Sequence, residues 1–180
     1  MTIASTTRRN FLARTVAVST GAAMLPTASR AMPGAEDTFA YEVTRTEDEW
    51  RAMLSRNEYR IMRDGGTEWQ RSSPYWDSEE VGTYCCKGCG LPLYSSATKV
   101  VLPIGWVFFR HSITNAILTD LDPVNPYGNT EMTPASEDID AIIEVHCRRC
   151  GSHLGHLVSI GGAPMHCING AALDFVPETA

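Results

Sequence analysis

Residues 147–156 read Cys-Arg-Arg-Cys-Gly-Ser-His-Leu-Gly-His, two thiols and two imidazoles within ten positions. Thiolates bind soft metals, exchange disulfides and attack electrophilic sulfur; imidazoles ligate metals or move protons. The remaining cysteines narrow the choice. Cys86-Lys87-Gly88-Cys89-Gly90 and Cys147-Arg148-Arg149-Cys150-Gly151 share the pattern C-x-x-C-G. The glycine after the second cysteine allows the tight turn that points backbone amides at thiolate sulfur. Two such knuckles close a tetrahedral Zn(Cys)4 site with no open position, which is structural rather than catalytic zinc. The stretch between them is long, so the ion would clip distant segments together. Its binding energy, about 10–16 kcal/mol, would enter the folding balance directly. Two disulfides are the alternative for an exported protein. A thioredoxin-type dithiol is disfavoured, because neither knuckle opens a helix after a βαβ-type strand.

Cys85 and Cys167 stand outside this pattern. Cys167 lies in Met165-His166-Cys167-Ile168-Asn169-Gly170, which reads as a strand with Cys167 and Asn169 on one face. A lone cysteine is ordinarily a small buried hydrophobe. Beside an amide, in a chain that also offers His153 and His156, it is a candidate nucleophile.

The elements that must hold these groups are short. Thr46-Glu47-Asp48-Glu49 and Ser55-Arg56-Asn57-Glu58 are consecutive capping boxes. They predict one amphipathic helix to about Ser55, with Trp50, Met53 and Leu54 on its apolar side, and a second closed by Asp64-Gly65-Gly66. From Val81 onward the apolar stretches are brief and rich in Val, Ile and Phe. They predict strands over 83–85, 93–94, 106–109, 116–121, 139–146, 156–160, 165–169 and 172–176. No helical pattern separates them, which argues against a parallel βαβ sheet. Residues 122–136, with three prolines, read as a long exposed loop.

The N-terminus is a different device. Arg8-Arg9-Asn10-Phe11-Leu12, an Ala/Val/Thr-rich stretch to Leu25 and a small-x-small site at Ser29-Arg30-Ala31 have the layout of a twin-arginine export signal. The expected organisation is a signal over 1–31, a linker over 32–43 and one domain over 44–180, periplasmic or otherwise extracytoplasmic. That route exports folded proteins, so zinc would be loaded before oxidising surroundings reach the thiols. Removing the signal takes four arginines and no acid, leaving 11 basic against 21 acidic residues, or −10. Such a body offers no basic face for nucleic acid. No apolar run approaches the roughly 20 residues of a membrane span, so none is expected after signal cleavage.

Taken together, "TEDEWRAMLSRNEYRIMRDGGTE", Tyr75-Trp76, "GTYCCKGCGLPLYSSATK", Gly105-Trp106, "EVHCRRCGSHLGH" and "HCINGAAL" resemble the methionine-R-sulfoxide reductase B (SelR-type) family. The likeness runs from about Val43 to Val176. It implies an all-β fold, two antiparallel sheets packed as an open barrel-like β-tent with short N-terminal helices. It also implies zinc on Cys86, Cys89, Cys147 and Cys150, and Cys167 as the catalytic cysteine. Trp106 would line the methyl pocket, with His153, His156 and Asn169 on its polar side. The implied reaction reduces the R epimer of methionine sulfoxide in oxidised proteins, with a thioredoxin-like electron donor.

The chemistry suits these residue types. Thiolate attack on sulfoxide sulfur, with a proton to the oxygen, leaves sulfenic acid on the cysteine and a thioether. An ordinary cysteine is mostly protonated at neutral pH, so neighbouring donors or cations must favour the thiolate. An imidazole can donate to the departing oxygen and an indole can hold the S-methyl group.

The chain departs from the family pattern at several places. Met165 stands where the family carries an arginine, and Leu157-Val158-Ser159-Ile160-Gly161 lacks its aspartate. The "SHGM" element has no clear counterpart, its histidine falling near Asp138. "GWPSF" has become Gly105-Trp106-Val107-Phe108-Phe109. Ile104 occupies the place of a resolving cysteine, which leaves Cys85 as the candidate for that role. These losses motivate the alternative of a non-catalytic zinc-binding module of the same fold that binds a protein partner.

Overall fold

The computed structural model describes residues 39–122 and 142–179. The expected signal, most of the linker, nearly all of the proline-containing loop and Asp138 lie outside the described residues. The described residues from Ala40 onward group as one compact unit.

Both capping boxes form. Helix α1 (Glu47–Met53) is capped by Thr46, whose hydroxyl accepts from the Glu49 amide while the Glu49 carboxylate accepts from the Thr46 amide. Ser55 and Glu58 repeat this at α2 (Arg56–Met62). The Glu58 carboxyl lies below its ordinary pKa: burial works upward, but Ser55 and Lys87 outweigh it. Trp50 and Leu54 are buried as the helical spacing predicts, with the Arg45 and Arg63 guanidinium groups over the Trp50 ring. Met53 instead faces outward. Seven-residue helices are marginal alone, so caps and the buried indole keep them formed.

Among the described residues nine strands follow: β1 (Gly82–Cys86), β2 (Pro92–Ser95), β3 (Lys99–Val100), β4 (Val107–Phe109), β5 (Ile117–Asp122), β6 (Ile142–Cys147), β7 (His153–Ile160), β8 (Ala163–Ile168) and β9 (Leu173–Pro177). They build two sheets, ordered β2-β1-β9 and β3-β4-β8-β7-β6-β5, with every pairing antiparallel. This is the mostly β, two-sheet architecture expected, with short N-terminal helices. Aromatic rings join the sheets: Tyr94 of β2 stacks on Phe109 of β4 at 4.2 Å, and Tyr84 of β1 meets the same ring edge-on at 5.2 Å. All three are essentially buried. Among the described residues no helix is long and apolar enough to cross a membrane.

Most strand ends fall within one or two residues of the sequence-based expectation, and three differences matter more. β3 has only two residues and no alternation to reveal it. β7 begins at His153 rather than at His156. Asn169 follows β8 and precedes a 3-10 turn over Gly170–Ala172 instead of ending the strand.

Candidate active site and metal centre

Each knuckle sits where a strand of a different sheet ends. β1 delivers Cys86 and β6 delivers Cys147; the chain then turns to Cys89 and Cys150. The Gly90 amide donates to the Cys86 carbonyl at 2.7 Å, and the Gly151 amide to that of Cys147 at 2.8 Å. Both glycines adopt positive φ, +71° and +68°, a conformation that L side chains rarely take. The four sulfurs all lie within 4.8 Å of one another, with Cys86–Cys150 at 3.7 Å and Cys89–Cys147 at 3.5 Å. A tetrahedron with metal–sulfur bonds of about 2.3 Å has edges of about 3.8 Å, so the donor set and its spacing fit a metal ion. None of the six cysteines is in a disulfide. Arg45 and Arg149 donate to the Gly88 and Cys89 carbonyls, placing positive charge against the knuckle.

The second device lies on the six-stranded sheet. Register pairs Phe108 of β4 with Cys167 of β8, Cys167 with His156 of β7, and His156 with Glu144 of β6. Residues paired this way share a sheet face, with Cβ atoms about 4.5–5.5 Å apart. Cys167, His156 and Glu144 therefore stand in one transverse row. Strand alternation alone would turn His153 to the opposite face from His156. The register shifts between Val145 and His146, where β7 carries one extra residue, and this bulge returns His153 to the same side. The two imidazoles then lie 5.1 Å apart. Gly155 makes the close strand approach possible: a Cβ there would fall 2.1 Å from the Cys167 carbonyl oxygen.

Trp106, His156, Cys167 and Asn169 line one narrow recess with Thr67, Gly155 and Ile168. Cys167 and His156 are buried. His153 stands behind His156, its Nδ1 2.5 Å from Glu144 Oε1. Beside a carboxylate that nitrogen carries the proton, which fixes the tautomer and ring orientation. The Nε2 of His153 is buried and has no hydrogen-bond partner among the described residues. Cys85 is elsewhere: it is buried on β1 of the three-stranded sheet, its thiol pKa raised by burial and by the Asp174 carboxylate.

Glu68 is a site residue that the sequence reading missed. Its carboxylate accepts from the Gly170 amide at 2.8 Å and from that of Ala171 at 2.9 Å. Its own amide donates to Asn169 Oδ1, and its carbonyl accepts from Trp106 Nε1 at 3.1 Å. One residue thus ties the indole, the amide and the turn after Cys167 together. Burial pushes its carboxyl pKa up, against the pull of the two backbone amides. Asn169 also donates to the Leu154 carbonyl on β7, fixing the end of β8 against the histidine strand. Glu144 was missed as well. Both are single acids among 21 without a pattern of their own: Glu68 closes the "GGTE" stretch and Glu144 opens "EVHCRRCGSHLGH", neither with a role that its neighbours reveal.

Residues 54–177 match the SelR domain family. The chain is 38% identical over 141 residues to peptide methionine sulfoxide reductase B2, chloroplastic, of Arabidopsis thaliana, covering 76% of this chain and 62% of that one. It is 33% identical over 170 residues to peptide methionine sulfoxide reductase B3 of the same plant, covering 92% and 83%. To peptide methionine sulfoxide reductase MsrB of Thiobacillus denitrificans it is 36% identical over 137 residues, covering 74% and 95%. With two antiparallel sheets, a tetracysteine cluster and this extent of match, the chain belongs to the SelR domain family.

Proposed function

We propose that this protein is an exported, zinc-stabilised reductase of methionine-R-sulfoxide in oxidised proteins. The observation that carries the reading is the recess in which Cys167 faces His156 across β7 and β8, beside Trp106 and Asn169. Cys86, Cys89, Cys147 and Cys150 would hold the zinc, which supplies structure and no reacting atom. The Trp106 ring receives the S-methyl group and places the sulfoxide sulfur against Cys167. The Cys167 thiolate bonds to that sulfur while the oxygen takes up a proton. The hydroxyl then passes to the Cys167 sulfur: its bond to the substrate sulfur and the new S–S bond both break, and methionine departs with the electron pair as the thioether. Cys167 is left as a sulfenic acid, its sulfur oxidised by two electrons. His156 donates to the departing oxygen, and His153, itself bonded to Glu144, packs against its ring at 5.1 Å.

A thioredoxin-like dithiol then returns the two electrons, releasing water and leaving its own disulfide. Cys85 was the sequence-based candidate for an internal resolving step. Its burial on the other sheet favours direct attack of the external dithiol on Cys167. The twin-arginine signal motivates the extracytoplasmic placement, where that donor needs electrons relayed across the membrane.

The non-catalytic module remains the second reading, favoured by Met165 and Ile160 at the places of the family's arginine and aspartate. A stereospecific assay on zinc-loaded protein separates the two. The reductase reading expects turnover of the R but not the S epimer, abolished by Cys167→Ser. Zinc-loaded protein that turns over neither epimer would support the module instead.

A further inference from the structure

The recess at Cys167 adjoins a larger cleft of about 1170 Å³, with which it shares Thr67 and Trp106. The cleft continues past Glu68 to Trp69 and Gln70, and to Arg60 of α2 and Asp64 just beyond it. Trp69 is 85% exposed. A single exposed apolar residue is unremarkable in itself. This one, however, is carried on a tightly pinned turn. The Trp69 carbonyl accepts from the Ser72 hydroxyl at 2.6 Å and from the Ser72 amide at 3.2 Å. Arg71 adopts positive φ and donates its amide to the Gly105 carbonyl at 2.7 Å, next to Trp106. On the other side the Glu68 backbone is bound to Asn169 and Trp106. The backbone presenting the indole is therefore fastened to the same residues that shape the recess.

Resting on the reductase reading, we propose that this cleft is a flanking-residue subsite. It takes the polypeptide on one side of the methionine sulfoxide, and Trp69 docks an apolar side chain one or two residues away. An extended chain advances about 3.3 Å per residue, so a neighbour of the bound sulfoxide lies over the cleft rather than in the recess. The occupant follows from the substrate's chemistry. Methionine is a core residue, and its sequence neighbours include other core residues; oxidation makes it polar and loosens the segment that carries it. An exposed indole on a pinned backbone offers a large apolar surface, and its two χ angles leave little rotamer entropy to lose. Such an anchor selects damaged apolar segments over polar ones.

The test uses full-length zinc-loaded protein and short methionine-R-sulfoxide peptides that carry either leucine or aspartate beside the sulfoxide. Kd is read by anisotropy of labelled peptides and kcat/KM by turnover. The wild type is expected to favour the leucine peptide about tenfold, the scale of one good aromatic contact. Trp69→Ala should bring that ratio close to one through KM, while Trp69→Phe retains most of it. A ratio unaltered by Trp69→Ala, an equal loss on both peptides, or a change confined to KM for the dithiol reductant would overturn the subsite. A protein that binds with the Trp69-dependent ratio but turns nothing over would keep the subsite and refute the reductase reading.

Discussion

Cys167, His156, His153 and Asn169 were legible as residue types, a thiol beside an amide in a chain that offers two imidazoles, whereas Trp106 came only from the family resemblance. Their partners were not legible. Glu68 and Glu144 acquire roles only through register and a turn after β8, which no local pattern encodes. Glu68 carries the more informative prediction. Glu68→Gln keeps one acceptor oxygen and sets an amide N–H against a backbone N–H at Gly170 or Ala171, costing about 1–3 kcal/mol. Burial raises the Glu68 pKa from 4.5, so the folded state holds this proton more tightly than the unfolded chain. Its stabilising contribution is complete below the ordinary carboxylate range and is lost as pH rises through the raised value. The stability gap between wild type and Glu68→Gln should therefore be widest in acid and narrow toward neutrality. Urea unfolding of both proteins across that range checks this; a gap that widens with pH would contradict it.

At the scale of elements, signals carried by neighbouring residues read well and signals carried by pairing did not. Both capping boxes close within four residues and both formed as expected. The start of β7 was placed too late, since Leu154-Gly155 breaks alternation. The cause is the bulge that sets His153 beside His156. β3 left no trace because two residues cannot display a period. Gly155 is where strand geometry meets the site. Gly155→Ala forces a methyl into the Cys167 carbonyl, and two backbones cannot yield as a flexible side chain would. We expect kcat/KM to fall about 100-fold, as a displacement near 1 Å at a reacting centre produces, with zinc content unchanged. An alanine variant with near wild-type kcat/KM would show that β7 and β8 do not set the Cys167–His156 approach.

For the whole molecule, the two devices are one construction. The second knuckle, Cys147 to Cys150, is also the connection between β6 and β7, so the ion proposed there fixes the strands that carry Glu144, His153 and His156. Zinc binding of about 10–16 kcal/mol is as large as the whole stability of a typical domain, about 5–15 kcal/mol. Stripping the metal with a chelator under reducing conditions should abolish the cooperative unfolding transition and activity together, and zinc should restore both. Circular dichroism that showed an intact cooperative transition in metal-free protein would refute the clip. The central claim is oxygen transfer to one sulfur, and peptide mass spectrometry after a single equivalent of substrate reads it directly. With no reductant present, the R epimer should add one oxygen at Cys167, trapped as the sulfenic acid, and the S epimer none. Oxygen on neither, equal reaction with both epimers, or label at another cysteine would contradict the account.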